Sequence, residues 1–91
     1  PFSLELVSTE RSPYELMEFL IKEDSQIINQ KLKDINLPKD TLITVIIREN
    51  ELITPKGETI IQGKDTLFIL TRYEEKDKYI RSFYRWGKRG F

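Results

Sequence analysis

Leu42-Ile43-Thr44-Val45-Ile46-Ile47-Arg48-Glu49-Asn50-Glu51-Leu52-Ile53-Thr54 is the stretch on which the fold turns. Its first half is apolar and rich in β-branched residues, the composition of a strand covered on both faces. Glu49-Asn50-Glu51 turns the chain, and Leu52-Ile53-Thr54 starts the return strand before Pro55 interrupts it. Downstream, Pro55-Lys56-Gly57-Glu58 reads as a second turn, Thr59-Ile60-Ile61 as a short extended piece and Gly63-Lys64-Asp65 as a third turn. Leu67 to Leu70 closes the series as a last apolar strand.

Upstream, Tyr14 to Ile21 reads as a strand with Met17, Phe19 and Ile21 on one face and Leu16 and Leu20 on the other. Leu16, Met17 and Leu20 also fit helical spacing. The run is short and follows Ser12-Pro13, which favours the strand. Asp24 or Ser25 can cap a following helix, in which Ile28, Leu32 and Ile35 share a face before Pro38 ends it. Ser3 to Ser8 alternates as a leading strand. From Glu74 onward, Ile80 with Tyr84, and Tyr79 with Phe83 and Trp86, set a helical pattern that Gly87 stops. The expected class is α+β: a small, mostly antiparallel sheet with one packed helix and a C-terminal helix. Residues 1–13 form a leading strand and turn, 14–72 a domain and 73–91 a basic aromatic tail.

The 91 residues suit one domain, which buries roughly 60% of its unfolded surface. Fifteen Lys+Arg against fifteen Asp+Glu give a formal net charge of +0, so no global field draws the chain to nucleic acid or membrane. Cys 0 removes disulfides and thiol catalysis, and His 0 removes the commonest general base and metal ligand. No apolar run approaches the roughly 20 residues that span a bilayer. The start at Pro1, without a targeting pattern, suggests a piece of something longer.

No catalytic constellation emerges, and no enzyme is expected. The glycines are scattered between Gly57 and Gly90, with no phosphate loop. Glu74, Glu75 and Asp77 could be imagined as a carboxylate metal site, but acidic residues at a helix start meet the dipole's positive end. No metal or cofactor is expected. In the tail, Tyr84, Arg85, Trp86, Lys88 and Arg89 could contact phosphates or a membrane surface, or could pack as an amphipathic helix with cations near its end.

One combination is more specific. Asn29-Gln30-Lys31-Leu32, Ile35-Asn36-Leu37-Pro38, Ile46-Ile47-Arg48, Pro55-Lys56-Gly57-Glu58-Thr59 and Asp65-Thr66-Leu67 together resemble the C-terminal lobe of domains that regulate potassium conductance, the RCK_C or TrkA-C domains. The resemblance covers Tyr14 to about Arg72. Where the family usually has glycine, this chain has Asn29. Before Asp65 stands Lys64, with Gly63 one position earlier. The leading strand and basic tail look most like the cytosolic end of a cation/proton antiporter.

The resemblance implies a homodimer on the cytoplasmic side of the membrane, attached to the membrane-embedded portion of a potassium transport protein. It implies a small nucleotide effector, cyclic di-AMP or another small molecule, bound between the copies; from the balanced charge, no nucleic acid is expected as partner. A two-fold symmetric dinucleotide meets the same patch on each subunit. For that site Arg48 is the phosphate candidate and Asn50 the polar reader of the adenine edge. Ile46, Ile47, Leu52, Ile53 and Pro55 would form the apolar seat. Each has a plainer role available, as core, turn or surface residue. The other functional classes are a purely structural dimerisation domain and a surface-binding module that uses the tail.

Overall fold

The computed structural model describes residues 13–72 and Glu74. The leading strand expected over Ser3–Ser8 and the terminal helix expected beyond Glu74 lie outside those residues. The described part is a four-stranded antiparallel sheet of β1 (Tyr14–Leu20), β2 (Thr41–Arg48), β3 (Glu51–Ile53) and β4 (Thr66–Arg72), in the spatial order β1-β4-β2-β3.

β4 sits inside the sheet because its pattern suits two neighbours. Leu67, Ile69 and Thr71 alternate into the core, opposite Phe19, Met17 and Glu15 of β1 and Ile46, Ile43 and Thr41 of β2. Ile21, Ile27, Ile35 and Ile61 complete the buried set, so the core is built almost wholly from isoleucine. Stiff β-branched side chains suit a pleated face that must pack in one way. The strand expected over Tyr14–Ile21 is found over Tyr14–Leu20, with Met17 and Phe19 packed on the core and Leu20 exposed; Ile21, just past its end, is fully buried.

β2 departs from expectation. Its apolar run does not mark cover on both faces: Ile43 and Ile46 are buried while Leu42 is 58% exposed. Buried positions three apart break strict alternation because the β2–β4 register shifts between Ile43 and Val45, as an extra residue in one strand requires. Thr44 at that shift donates its hydroxyl to the Phe68 carbonyl at 2.9 Å.

The packed helix expected after Asp24 or Ser25 is absent from the described residues. In its place stand turns and one 3-10 helix, Leu32–Asp34. The cause lies in the backbone bonding. Asn29 takes φ 71, outside the helical region. Amides that a helix would use internally donate across to another segment instead: Asn29 to the Ile61 carbonyl (2.8 Å), Leu32 to Thr59 (2.9 Å) and Lys33 to Gly57 (3.0 Å). Ile61 donates back to Gln30 at 3.0 Å. Ser25 does act locally, its Oγ accepting from the Ile27 amide at 3.3 Å. The apolar spacing of Ile28, Leu32 and Ile35 was thus a helical pattern overridden by pairing with residues 57–61.

Both turn positions where the resemblance leads one to expect glycine are left-handed: Asn29 at φ 71 and Lys64 at φ 71. Asparagine tolerates that region and lysine does so poorly. Lys64→Gly is expected to raise stability by about 0.5–1 kcal/mol in urea unfolding. A loss instead would mean that the exposed Lys64–Glu23 pair (3.4 Å) outweighs the backbone strain.

Candidate functional site

The chain after β2 reverses through Glu49 (φ 50) and Asn50 (φ 64), both left-handed, between the paired residues Arg48 and Glu51. Positive φ at both central positions is the tight hairpin whose twist matches the flanking strands. Asn50 is therefore a turn residue, and its side chain lies on the exposed tip.

Arg48, the last residue of β2, is held by a buried carboxylate. Its Nε donates to Asp65 Oδ1 and its Nη2 to Asp65 Oδ2, each at 2.9 Å, and Nη2 also donates to the Ile60 carbonyl at 2.9 Å. The Asp65 side chain is fully buried and that of Arg48 is 23% exposed. Asp65 Oδ2 accepts further from the Gln62 amide at 2.9 Å. On the backbone, Ile21 donates to the Asp65 carbonyl and Lys64 to that of Ile21, both at 2.7 Å. The Asp65 carboxylate thus ties the end of β2 to the loop before β4, and the backbone of Lys64 and Asp65 ties in the residue after β1. The fork geometry is the strongest an arginine can make to a carboxylate, and it raises the guanidinium's already high pKa. The cation stays charged.

The other expected seat residues divide. Ile46 is fully buried in the core, and Ile53 pairs with it from β3. Ile47 is half-buried and pairs with Leu52, which is 65% exposed. Pro55 lies apart from them and lines a cavity.

That cavity, of about 240 Å³, is formed by Leu32, Lys33, Leu37, Leu42, Ile43, Pro55, Lys56 and Gly57. It lies beside the half of β2 that β3 does not reach, since β3 pairs only with Ile46–Arg48. Its wall is mainly apolar, with two lysines on it. Lys33 Nζ lies 2.7 Å from Glu58 Oε2, and Lys31 Nζ 3.0 Å from Glu58 Oε1. The ammonium groups of Lys33 and Lys31 hold the Glu58 carboxyl below its ordinary value. Such a pocket can accept a flat apolar group and place an anion beside it. Among the described residues no group of three or more His, Cys, Asp or Glu side chains could hold a metal ion. No helix among them is long and apolar enough to cross a membrane.

Of the seven residues expected to form the site, the cavity uses Pro55 alone. Among its other walls, Leu32 and Lys33 meet Gly57 through the pairing of 29–33 with 57–61, including the bridge Lys31↔Ile60. Local sequence carries little signal for such a contact. The one hint was the pair of proline-marked turns, Leu37-Pro38 and Pro55-Lys56-Gly57, flanking β2 and β3.

Residues 16–83 match the TrkA-C domain family. A Trk system potassium uptake protein TrkA homolog from Pyrococcus horikoshii is 36% identical over 63 residues, which is 68% of this chain and 28% of that protein. The K(+)/H(+) antiporter NhaP2 of Shewanella sp. (strain MR-4) is 30% identical over 59 residues, 65% of this chain and 10% of the antiporter. The chain therefore spans a small part of each of these relatives. A solved RCK domain with cda superposes with a TM-score of 0.63 at 27% identity, covering 72% of this chain and 93% of the other. The RCK_C domain dimer of S. agalactiae BusR in complex with c-di-AMP shares the fold, with a TM-score of 0.62 at 19% identity over 76% of this chain and 95% of that one.

Proposed function

The chain belongs to the TrkA-C domain family, a regulatory family of potassium transport, and from that premise we propose that it pairs with a second copy and binds cyclic di-AMP in the crevice between them. The observation that carries this reading is the size and lining of the cavity. At about 240 Å³ a single cavity falls below the roughly 300–1,000 Å³ of small-molecule sites, whereas two brought together fall inside it. An isologous pair of half-sites suits a ligand that is itself two-fold symmetric.

Each half supplies what a nucleotide needs. Leu32, Leu37, Leu42, Ile43 and Pro55 offer the adenine an apolar wall, and Lys33 and Lys56 offer cations to a phosphate. Leu42 is an exposed apolar side chain on the same hollow, and in this reading the second copy covers it. Arg48 keeps the strand ends in place through Asp65 and acts on the ligand through the frame it holds. The dinucleotide in the related RCK_C dimer supports the choice of ligand.

The parent protein in this reading is a potassium/proton antiporter, with the domain on the cytoplasmic side of the membrane. The likeness to the Shewanella antiporter supports it. An effector that prefers one dimer arrangement shifts the transporter between working and resting populations, and a coupling of about 1–3 kcal/mol changes activity severalfold.

Calorimetric titration tests the seat. Lys33→Met is expected to weaken cyclic di-AMP binding about tenfold, the worth of a charge-assisted hydrogen bond, and Asn50→Ala to leave it unchanged. Normal binding by Lys33→Met with loss in Asn50→Ala would move the site to the hairpin tip.

A further inference from the structure

Glu58 is placed to do more than decorate a turn. It stands beside Gly57, which lines the cavity, and its carboxylate holds two lysines, one of which also lines the cavity. The arrangement joins the two chain segments that form the rim. Lys31 and Lys33 come from the start of the 3-10 helix and Glu58 from the Pro55–Thr59 turn, whose backbone accepts from Lys33 at Gly57 and from Leu32 at Thr59. The backbone bonds already fix the rim, so the ion pairs are not needed to build it.

We infer that Glu58 is a resident anion that occupies Lys31 and Lys33 until a ligand's phosphate takes them, and so sets how tightly the cavity binds. This rests on the effector reading above. Glu58 is 68% exposed and the two lysines about half exposed, so separating them exchanges a screened surface ion pair for water at little cost. A phosphodiester presents the same single charge with oxygens spread over a larger face, and it arrives with an apolar group that the cavity also accepts. Like any exposed glutamate, Glu58 is ionised at neutral pH, and the lysines favour that form further, so it competes in full. The consequence is selectivity. A neutral nucleoside has no means to displace the carboxylate and leaves the pair closed; an anionic nucleotide opens it.

The experiment is calorimetric titration of the wild-type chain and of Glu58→Gln, at low salt, with cyclic di-AMP and with adenosine. Glu58→Gln removes the charge and keeps the shape, and its unchanged thermal melt would verify the fold. The expected result is binding of cyclic di-AMP two- to fivefold tighter in the variant, on the scale of a surface ion pair, with adenosine affinity equal in both. Equal or weaker cyclic di-AMP binding by the variant overturns the inference and leaves the effector reading standing, with Glu58 then a positioning residue for Lys33. No cyclic di-AMP binding by the wild type overturns the effector reading, and this inference falls with it.

Discussion

Arg48→Met is expected to remove about 3–5 kcal/mol of stability, a large share of what a domain of this size has. The variant keeps the side chain's apolar length and deletes the fork, which leaves a fully buried Asp65 carboxylate with the Gln62 amide as its remaining bond of those described above. An uncompensated buried charge is among the costliest defects a core can carry. Urea unfolding followed by far-ultraviolet circular dichroism measures the loss. The double variant Arg48→Met/Asp65→Leu is expected to recover a large share of it, because a well-packed apolar pair replaces a buried ion pair at little net cost. If Arg48→Met instead unfolds within about 0.5 kcal/mol of wild type, the range of surface changes, the fork holds nothing and the guanidinium is available to a ligand.

Ile46→Ala is expected to cost about 2–5 kcal/mol, since it opens a cavity in a closely packed core. Ile46 is fully buried between Leu67 of β4 and Ile53 of β3. Leu52→Ala, two-thirds exposed and from the same hairpin, is expected to change stability by no more than about 0.5 kcal/mol. The contrast sorts residues that look alike in sequence. Similar, small losses in both would mean that β2 is not anchored through this face.

Much of the sheet could be read from the chain because its signals are local. Leu42–Ile47 and Leu67–Leu70 are dense in β-branched and apolar residues, and the turns between them carry Pro, Gly and Asn. The error at 24–38 has a specific origin: Ile28, Leu32 and Ile35 lie at helical spacing, yet only Ile35 is buried, together with Ile27. The amides of that segment found partners on residues 57–61, a long-range choice that propensity does not encode. The register shift after Ile43 was hidden for a related reason, since an all-apolar run conceals a change of phase.

The candidate site was less legible than the fold. Arg48 and Asn50 stood out because a phosphate needs a cation and adenine needs an amide, and both lie at a strand end where ligands often bind. The structure gives each a duty in the fold, as the Asp65 clamp and the hairpin turn. Lys33 and Lys56 did not stand out, being two lysines among fifteen basic residues. Only three-dimensional pairing sets them on one apolar hollow.

The central claim is that one dinucleotide fills two facing hollows. Sedimentation equilibrium of the purified chain with increasing cyclic di-AMP, monitored at the nucleotide's absorbance, reports mass and stoichiometry together. The account predicts a complex of two chains carrying one cyclic di-AMP. A single chain saturated by its own ligand, or a chain that remains monomeric and sediments without nucleotide at every concentration, contradicts it.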